Sequence, residues 1–401
     1  MSRGWVRLQA VAVSGSVAEG LMTTLLPWIA TTITDDPRQV SLVNVVGQAP
    51  WLLFSLFAGV LIDRVRRSAV LATAYAVQLC AALVIAAAGA LDAFTLPLLM
   101  VVAFVVTSAQ VLGDGASGAL VPEVVPPDRL PAANTRLMVI DRGVVQFGVP
   151  PVAGVLVGVG LGAPAWVAVV AALVALVLVR GLRSARAEPS GRNPLRDIPE
   201  GLRYLVGTPL LRWITLSVAL GSFGASAAMS MFVLYAQDVL GVGAVGYGVL
   251  LACIAAGWIA SSPVVGPVVG RLGYSWAMRW SQLGMVVTVG LVAVLPPWAW
   301  AVAVTGFAQS MIVMVWNVCS QSSRQRFTPP ALLGRVLTSH RALAWGFTPL
   351  GALAGGLVAA ESGLRAVWVM GALVQLVALV VTWAGLSPKA FREAELVAAG
   401  R

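Results

Sequence analysis

The chain has 401 residues, of which 59% are hydrophobic and only 10% charged, with a formal charge of +10. Ordinary soluble domains carry roughly 25% charged residues, so a secreted enzyme and a nucleic-acid-binding module are excluded. A mean hydropathy of +0.90, built from apolar runs along the whole length, makes lipid the solvent for most of the chain and excludes a single-span anchor. Cys80, Cys253 and Cys319 fall singly in apolar stretches, and there is one histidine, so neither a disulfide framework nor a zinc site is indicated and no cofactor is implied.

A membrane-spanning helix needs about 20 predominantly apolar residues. Charged or Pro/Gly-rich breaks delimit twelve such segments: 8–31, 39–62, 68–90, 97–121, 136–160, 164–181, 211–235, 245–268, 275–295, 299–321, 337–359 and 366–386. The first runs past the short apolar core of a signal peptide and lacks a cleavage site over 23–33, so it is expected to be a permanent helix. Positively charged loops stay in the cytoplasm. With both termini and the even-to-odd connections placed there, 24 of the 26 Lys and Arg residues are inside, leaving only Arg38 and Arg365 outside. The net charge therefore serves topology and needs no nucleic acid.

The one long polar stretch, 180–209, divides the chain into six plus six. The expected domains are an N-terminal half (1–181), a cytoplasmic linker (182–210), a C-terminal half (211–386) and a tail (387–401). Within the linker, 198–205 reads as a short amphipathic helix lying at the membrane surface, with Arg196 and Arg203 exposed. The halves echo one another. GVLIDRVRRSAVL at 59–71 is matched by GPVVGRLGYSWAM at 266–278, and VPPDRLPAANTRL at 125–137 by TPPALLGRVLTSH at 328–340. Two related halves imply a central site near the bilayer midplane.

Ionisable residues at bilayer depth are costly and therefore functional candidates. Glu19 lies mid-span in the first segment, Asp114 well inside the fourth, and Asp141 near the start of the fifth. A carboxyl group in a low-dielectric cavity can hold a proton and surrender it to an arriving cation. Asp141 has Arg136 and Arg142 nearby in sequence, so a structural ion pair competes with proton transfer there. Polar stripes run beside these acids. Glu19 and Thr23 are one turn apart; Gln110, Asp114 and Ser117 share a face, as do Thr305, Gln309, Asn317 and Gln321. In the seventh segment Met231 and Tyr235 offer soft and aromatic surface for a large amphipathic ligand, although core or lipid-facing packing is the commoner use of such residues. His340, beside Arg341, reads as a packing or gate-side hydrogen bond in preference to a proton relay.

Over nearly its whole length the chain resembles the major facilitator superfamily. GVLIDRVRRSAVL is similar to the superfamily's loop G-x-L-A-D-R-x-G-R-K-x-x-L: Gly59, Leu61, Asp63, Arg64, Arg67 and Leu71 match, while Ile62, Arg66 and Ser68 depart. ALVPEVVPPDRLPAANTRL, YAQDVLGVGAVGYGVLLA and LLGRVL look like the branch of enterobactin-type siderophore exporters and macrolide efflux proteins. GVPPVAGVLVG at 148–158 resembles the helix-five motif of proton-driven exporters, with Pro150 and Gly154 matching and Val149 and Ala153 replacing glycines.

The resemblance implies an all-α integral membrane protein with twelve transmembrane helices. They form two six-helix pseudo-repeat halves around a central cavity lined by the first, fourth, seventh and tenth spans. In the loop motif, Gly59 lets helices approach, Asp63 can accept from a helix N-terminus, and Arg64 and Arg67 can pair with carboxylates across the boundary between halves. Glu123 is the partner expected for Arg67, completing a cytoplasmic latch.

No G-x-x-x-x-G-K-[ST] loop is present, so ATP hydrolysis is not indicated. The expected function is proton-coupled export of a hydrophobic or amphipathic small molecule by alternating access, from a monomer in a bacterial inner membrane. Its partners are the substrate, protons and the lipid bilayer. Uptake, a lipid-like cargo or a non-transporting receptor are the alternatives. Glu19, Asp114 and Asp141 are the proton or cation candidates; Thr23, Gln110, Met231, Tyr235, Gln309 and Asn317 are the cavity candidates.

Overall fold

The computed structural model describes residues 3–126, 130–182, 194–329 and 332–399. Within its helices the side chains of 52, 55–64, 131–132, 134–135, 138, 142, 146, 194–198, 334 and 398–399 lie outside that description. All regular structure among the described residues is helical.

The first half of the chain forms α1 (Arg3–Ile33), α2 (Pro37–Arg64), α3 (Arg67–Ala90), α4 (Leu96–Val124), α5 (Leu130–Asp141), a π-helical segment (Arg142–Gly148), α6 (Val149–Val159) and α7 (Ala163–Val179). There follow α8 (Pro194–Gly207), α9 (Pro209–Leu234), a second π segment (Tyr235–Val239), α10 (Ala244–Val294), α11 (Ala299–Phe327), α12 (Leu333–Gly346), α13 (Thr348–Ser362), α14 (Leu364–Gly385) and α15 (Pro388–Ala399). Nine helical stretches among the described residues are long and apolar enough to cross a membrane. α7, at 17 residues, is shorter. The 51 residues of α10 hold two of the expected spans, divided at Gly273, whose φ of 71° is a left-handed conformation that glycine adopts without a Cβ clash.

Two compact units result. The first comprises Met1–Arg192 with Gly241–Ala252, the second Asn193–Leu240 with Cys253–Arg401. In the first, α1 packs on α7, α2 on α4, and α3 on both α4 and α7, around Leu8, Leu71, Leu120 and Val121. In the second, α9 is flanked by α13 and α14 around Leu211, Ile214, Met278 and Cys319. Many large apolar side chains stay outside, such as Val101, Val170, Leu373 and Val380. That is the surface of a bundle solvated by lipid, where burial alone does not drive helix against helix.

The assignment of Gly241–Ala252 to the first unit differs from the expected boundary and has a local cause. A Cβ built on Gly248 would lie 2.3 Å from the Pro150 carbonyl oxygen, so the start of α10 meets α6 backbone to backbone. Tyr247 adds a ring contact with Trp28, centroids 5.7 Å apart.

The linker helix α8 also makes tertiary contacts. Part of its apolar face is docked on protein, and part stays open: Leu205 is buried, Tyr204 donates its hydroxyl to the Phe327 carbonyl at 3.0 Å and Glu200 pairs with Arg335 of α12, while Leu202 and Val206 are exposed. Arg203 is exposed as expected, while the Arg196 side chain lies outside the described residues. Amphipathicity shows only that one face must be covered; whether lipid or protein covers it depends on tertiary contacts.

Candidate functional site

The first unit gathers the acids that the sequence singles out. Glu19 on α1 is buried, with 7% of its surface exposed, and its carboxylate accepts a hydrogen bond from Gln110 Nε2 on α4 at 2.5 Å. Asp114 lies one turn beyond Gln110 on α4, and Asp141 closes α5. Each acid makes further interactions, so none stands alone. Thr23 sits one turn from Glu19, but its hydroxyl donates back to the carbonyls of Glu19 and Gly20, at 3.0 and 3.2 Å. Its one proton is therefore spent inside α1.

Tyr75 of α3 joins this group without any motif that marks it. It is buried, and the charges of Asp114, Glu19 and Asp141 all act on it. Gly15, one turn before Glu19, supplies the notch it fills: a Cβ there would lie 2.4 Å from the Tyr75 hydroxyl oxygen. One phenol is thus within the field of three acids on α1, α4 and α5, of which Glu19 is buried, Asp141 half-buried and Asp114 exposed. The available sequence signals are that Tyr75 is the first tyrosine in the chain and that a glycine precedes Glu19 by four residues. Like charges brought together disfavour joint ionisation, so such a site favours whatever adds positive charge, a proton or a cationic ligand.

Asp141 stands where helical geometry changes. Pro150 and Pro151 lack the N–H groups that would bond the carbonyls of residues 146 and 147 in α register. The ladder shifts instead, with the Val149 N–H reaching the Val144 carbonyl five residues back. Such π turns are enriched at functional sites. Beyond the turn, a Cβ on Gly154 would lie 2.4 Å from the Ala244 carbonyl oxygen and 2.9 Å from its carbon. Backbone cannot yield as a flexible side chain can. Gly154→Ala is therefore expected to destabilise the protein by about 1–3 kcal/mol. Gly158→Ala, which meets nothing within 4 Å, should change stability by less than about 0.5 kcal/mol. Thermal unfolding of the two variants in detergent checks the contrast.

Arg67 and Glu123 meet. Arg67 Nη1 donates to Glu123 Oε1 at 2.8 Å and to the Ala119 carbonyl at 2.8 Å, joining the start of α3 to the end of α4. Both residues belong to the first unit, so this pair is internal to that unit and is not the cross-boundary contact expected of Arg67. The side chains of Gly59, Leu61, Asp63 and Arg64 lie outside the described residues.

In the second unit the candidates separate. Met231 and Tyr235 are each 1% exposed, and Tyr235 packs edge-on to Trp368 with centroids 5.4 Å apart. Both are core in this conformation and offer no surface to a ligand; the exposed member of the stretch is Met229, at 49%. Gln309 accepts from the Thr288 hydroxyl of α10. Asn317, two turns along α11, is exposed. Helical spacing correctly puts Gln309 and Asn317 on one helix, but the neighbouring helix decides what each meets.

Long apolar helices in two units, with acids and a phenol converging inside one of them, define a multi-pass membrane protein carrying a polar site within its bundle. The Major Facilitator Superfamily profile matches residues 10–347, and the chain belongs to that superfamily. It is a membrane transporter and not an enzyme. It is 25% identical over 402 aligned positions, covering 92% of each chain, to the multidrug efflux pump Tap of Mycolicibacterium fortuitum. A bacterial homologue of the iron transporter ferroportin, in its inward-facing state, matches with a TM-score of 0.79 at 17% identity, over 96% of this chain and 99% of that one. A bacterial homologue of the human lysosomal transporter Spinster matches with a TM-score of 0.74 at 15% identity, over 98% and 97% of the two chains. At these identities the two structures share the fold alone.

Proposed function

We propose that this transporter exports a hydrophobic or amphipathic small molecule in exchange for protons. It would work as a monomer by alternating access, with twelve crossings and both termini on the cytoplasmic side of a bacterial inner membrane. The observation that carries the reading is the burial of Glu19 against Gln110 beside Tyr75, Asp114 and Asp141. Acids placed inside a membrane bundle, where charge is costly, suit a group that takes up and releases a proton once per cycle. The likeness to an efflux pump supports export as the direction, and the alternation of Arg-rich and Arg-poor connections supports the orientation.

In this reading Glu19 and Asp114 exchange protons for substrate, and Asp141 holds the charge balance beside the π turn. Gln110, Gln309 and Asn317 supply polar contacts to the cargo, and Arg67 with Glu123 forms part of a cytoplasmic latch that includes Asp63 and Arg64. Met231 and Tyr235 keep a packing role until the cavity rearranges.

Everted membrane vesicles test the proposal. A proton gradient should drive accumulation of a cationic dye or a macrolide, and both an ionophore and Asp114→Asn should abolish it. Accumulation that ignores the ionophore, or a wild-type level in Asp114→Asn, would overturn the coupling.

A further inference from the structure

Away from the acids, the second unit holds a half-buried guanidinium with one edge unused. Arg324, near the end of α11, donates from Nη1 to Ser320 Oγ at 2.7 Å and to His340 Nε2 of α12 at 2.5 Å. The tautomer of His340 follows from its other neighbour. Thr215 Oγ1 on α9 donates its single proton to the Leu211 carbonyl at 2.8 Å, so toward His340 Nδ1, also 2.8 Å away, it can only accept. The Nδ1 position of His340 therefore carries the hydrogen, and Nε2 presents a lone pair to Arg324. Ser320, His340 and Thr215 are all buried, so this is a built support that fixes one edge of the guanidinium.

The other edge is unused. Arg324 Nε is buried without a hydrogen-bond partner, and Nη2 makes no bond among the described residues. Among the described residues Arg324 makes no ion pair; Glu395 pairs with Arg326 at 3.2 Å and Glu200 with Arg335. The charge of Arg341 acts on both Arg324 and His340, adding further positive potential. The Nε and Nη2 donors of one guanidinium lie parallel, at the spacing of two oxygens of a carboxylate or phosphate. A half-buried cation with no ion pair among the described residues gains from a bidentate anion.

We propose that the Nε/Nη2 edge of Arg324, held in place by Ser320 and the Thr215-oriented His340, is an oxyanion site. Its ligand is a phosphate or carboxylate group, carried on an anionic lipid headgroup or as a free anionic solute. The site is separate from the acid cluster of the first unit and does not depend on proton coupling.

The test uses the purified full-length protein, delipidated in detergent. Binding of short-chain phosphatidylglycerol, inorganic phosphate and benzoate is titrated by the shift in thermal unfolding, with short-chain phosphatidylcholine as the zwitterionic comparison. Wild type is expected to bind at least one anionic probe in preference to phosphatidylcholine. Arg324→Gln should weaken that binding about tenfold or more. Arg324→Lys, which keeps the charge and loses the fork, should fall between the two.

Binding of phosphatidylglycerol alone identifies a lipid headgroup as the source; binding of phosphate or benzoate as well identifies a site for free oxyanions. Equal affinity of wild type and Arg324→Gln for every probe, or no anionic binding by wild type, overturns the proposal. Arg324→Gln keeps an amide donor for Ser320 and His340 and should fold. His340→Gln gives a second readout, because it loosens the fork while leaving its charge, and should weaken anion binding about threefold.

Discussion

Glu19→Gln is expected to give a folded, substrate-binding protein that no longer uses a proton gradient. The substitution is nearly isosteric. The new amide can keep accepting from Gln110 through its oxygen, so the 2.5 Å contact survives as an ordinary hydrogen bond and stability should change by only about 1 kcal/mol. What disappears is the ability to alternate between a neutral and an ionised group at a buried position. Gradient-driven accumulation should fall to background, while exchange of labelled for unlabelled substrate across the membrane, which needs no net proton movement, should persist. Tyr75 offers a sharper contrast. Tyr75→Phe keeps the ring that fills the Gly15 notch and removes only the hydroxyl, so it should retain the fold and reduce coupled transport less than Glu19→Gln does.

Gly351→Leu is expected to have the largest effect on folding. α13 carries Gly351 and Gly355 one turn apart, and it lies on α9 so closely that side chains have no room. A Cβ on Gly351 would be 2.2 Å from the Phe223 carbonyl oxygen, and one on Gly355 would be 2.5 Å from that of Ala227. The same contact is sealed by Ser226, which donates to the Thr348 carbonyl at 2.7 Å; Ser230 Oγ lies 3.3 Å from the Ala352 carbonyl but closer, at 2.9 Å, to that of Ala227 in its own helix. In lipid, where apolar burial gives little drive, close backbone approach and such hydrogen bonds hold helices together. A leucine would part the helices and break the Ser226 bond, costing about 3 kcal/mol or more. The measurable result is loss of monodisperse protein after extraction. Gly221→Ala on α9, where nothing lies within 4 Å, should behave as wild type.

Much of this was legible in residues whose meaning is local or repeated. Glu19, Asp114 and Asp141 stand out because charge is rare in apolar runs. Arg67 and Glu123 could be paired because a loop motif fixes one and the end of a span fixes the other. The break at Gly273 lies between two segments that composition already separates. What stayed hidden depends on neighbours from other helices. Tyr75 is an ordinary aromatic residue until the fold seats it against Gly15 and within the field of three acids. Met231 and Tyr235 look like ligand surface until Trp368 covers the ring. The contacts of α8 with Phe327 and Arg335, made by Tyr204 and Glu200, are not written in its amphipathic pattern. The open edge of Arg324 becomes visible only once its other edge is seen to be occupied.

The central claim is that the Glu19 cluster exchanges a proton for substrate. Proton release on binding tests it most directly: purified protein in weakly buffered detergent solution is mixed with a cationic dye or a macrolide, and the pH of the solution is followed. Wild type is predicted to release protons in proportion to the ligand bound, and Glu19→Gln to bind the same ligand with reduced release. Substrate binding by wild type with no proton release would contradict the account and leave Glu19 as a structural hydrogen-bond partner of Gln110 between α1 and α4.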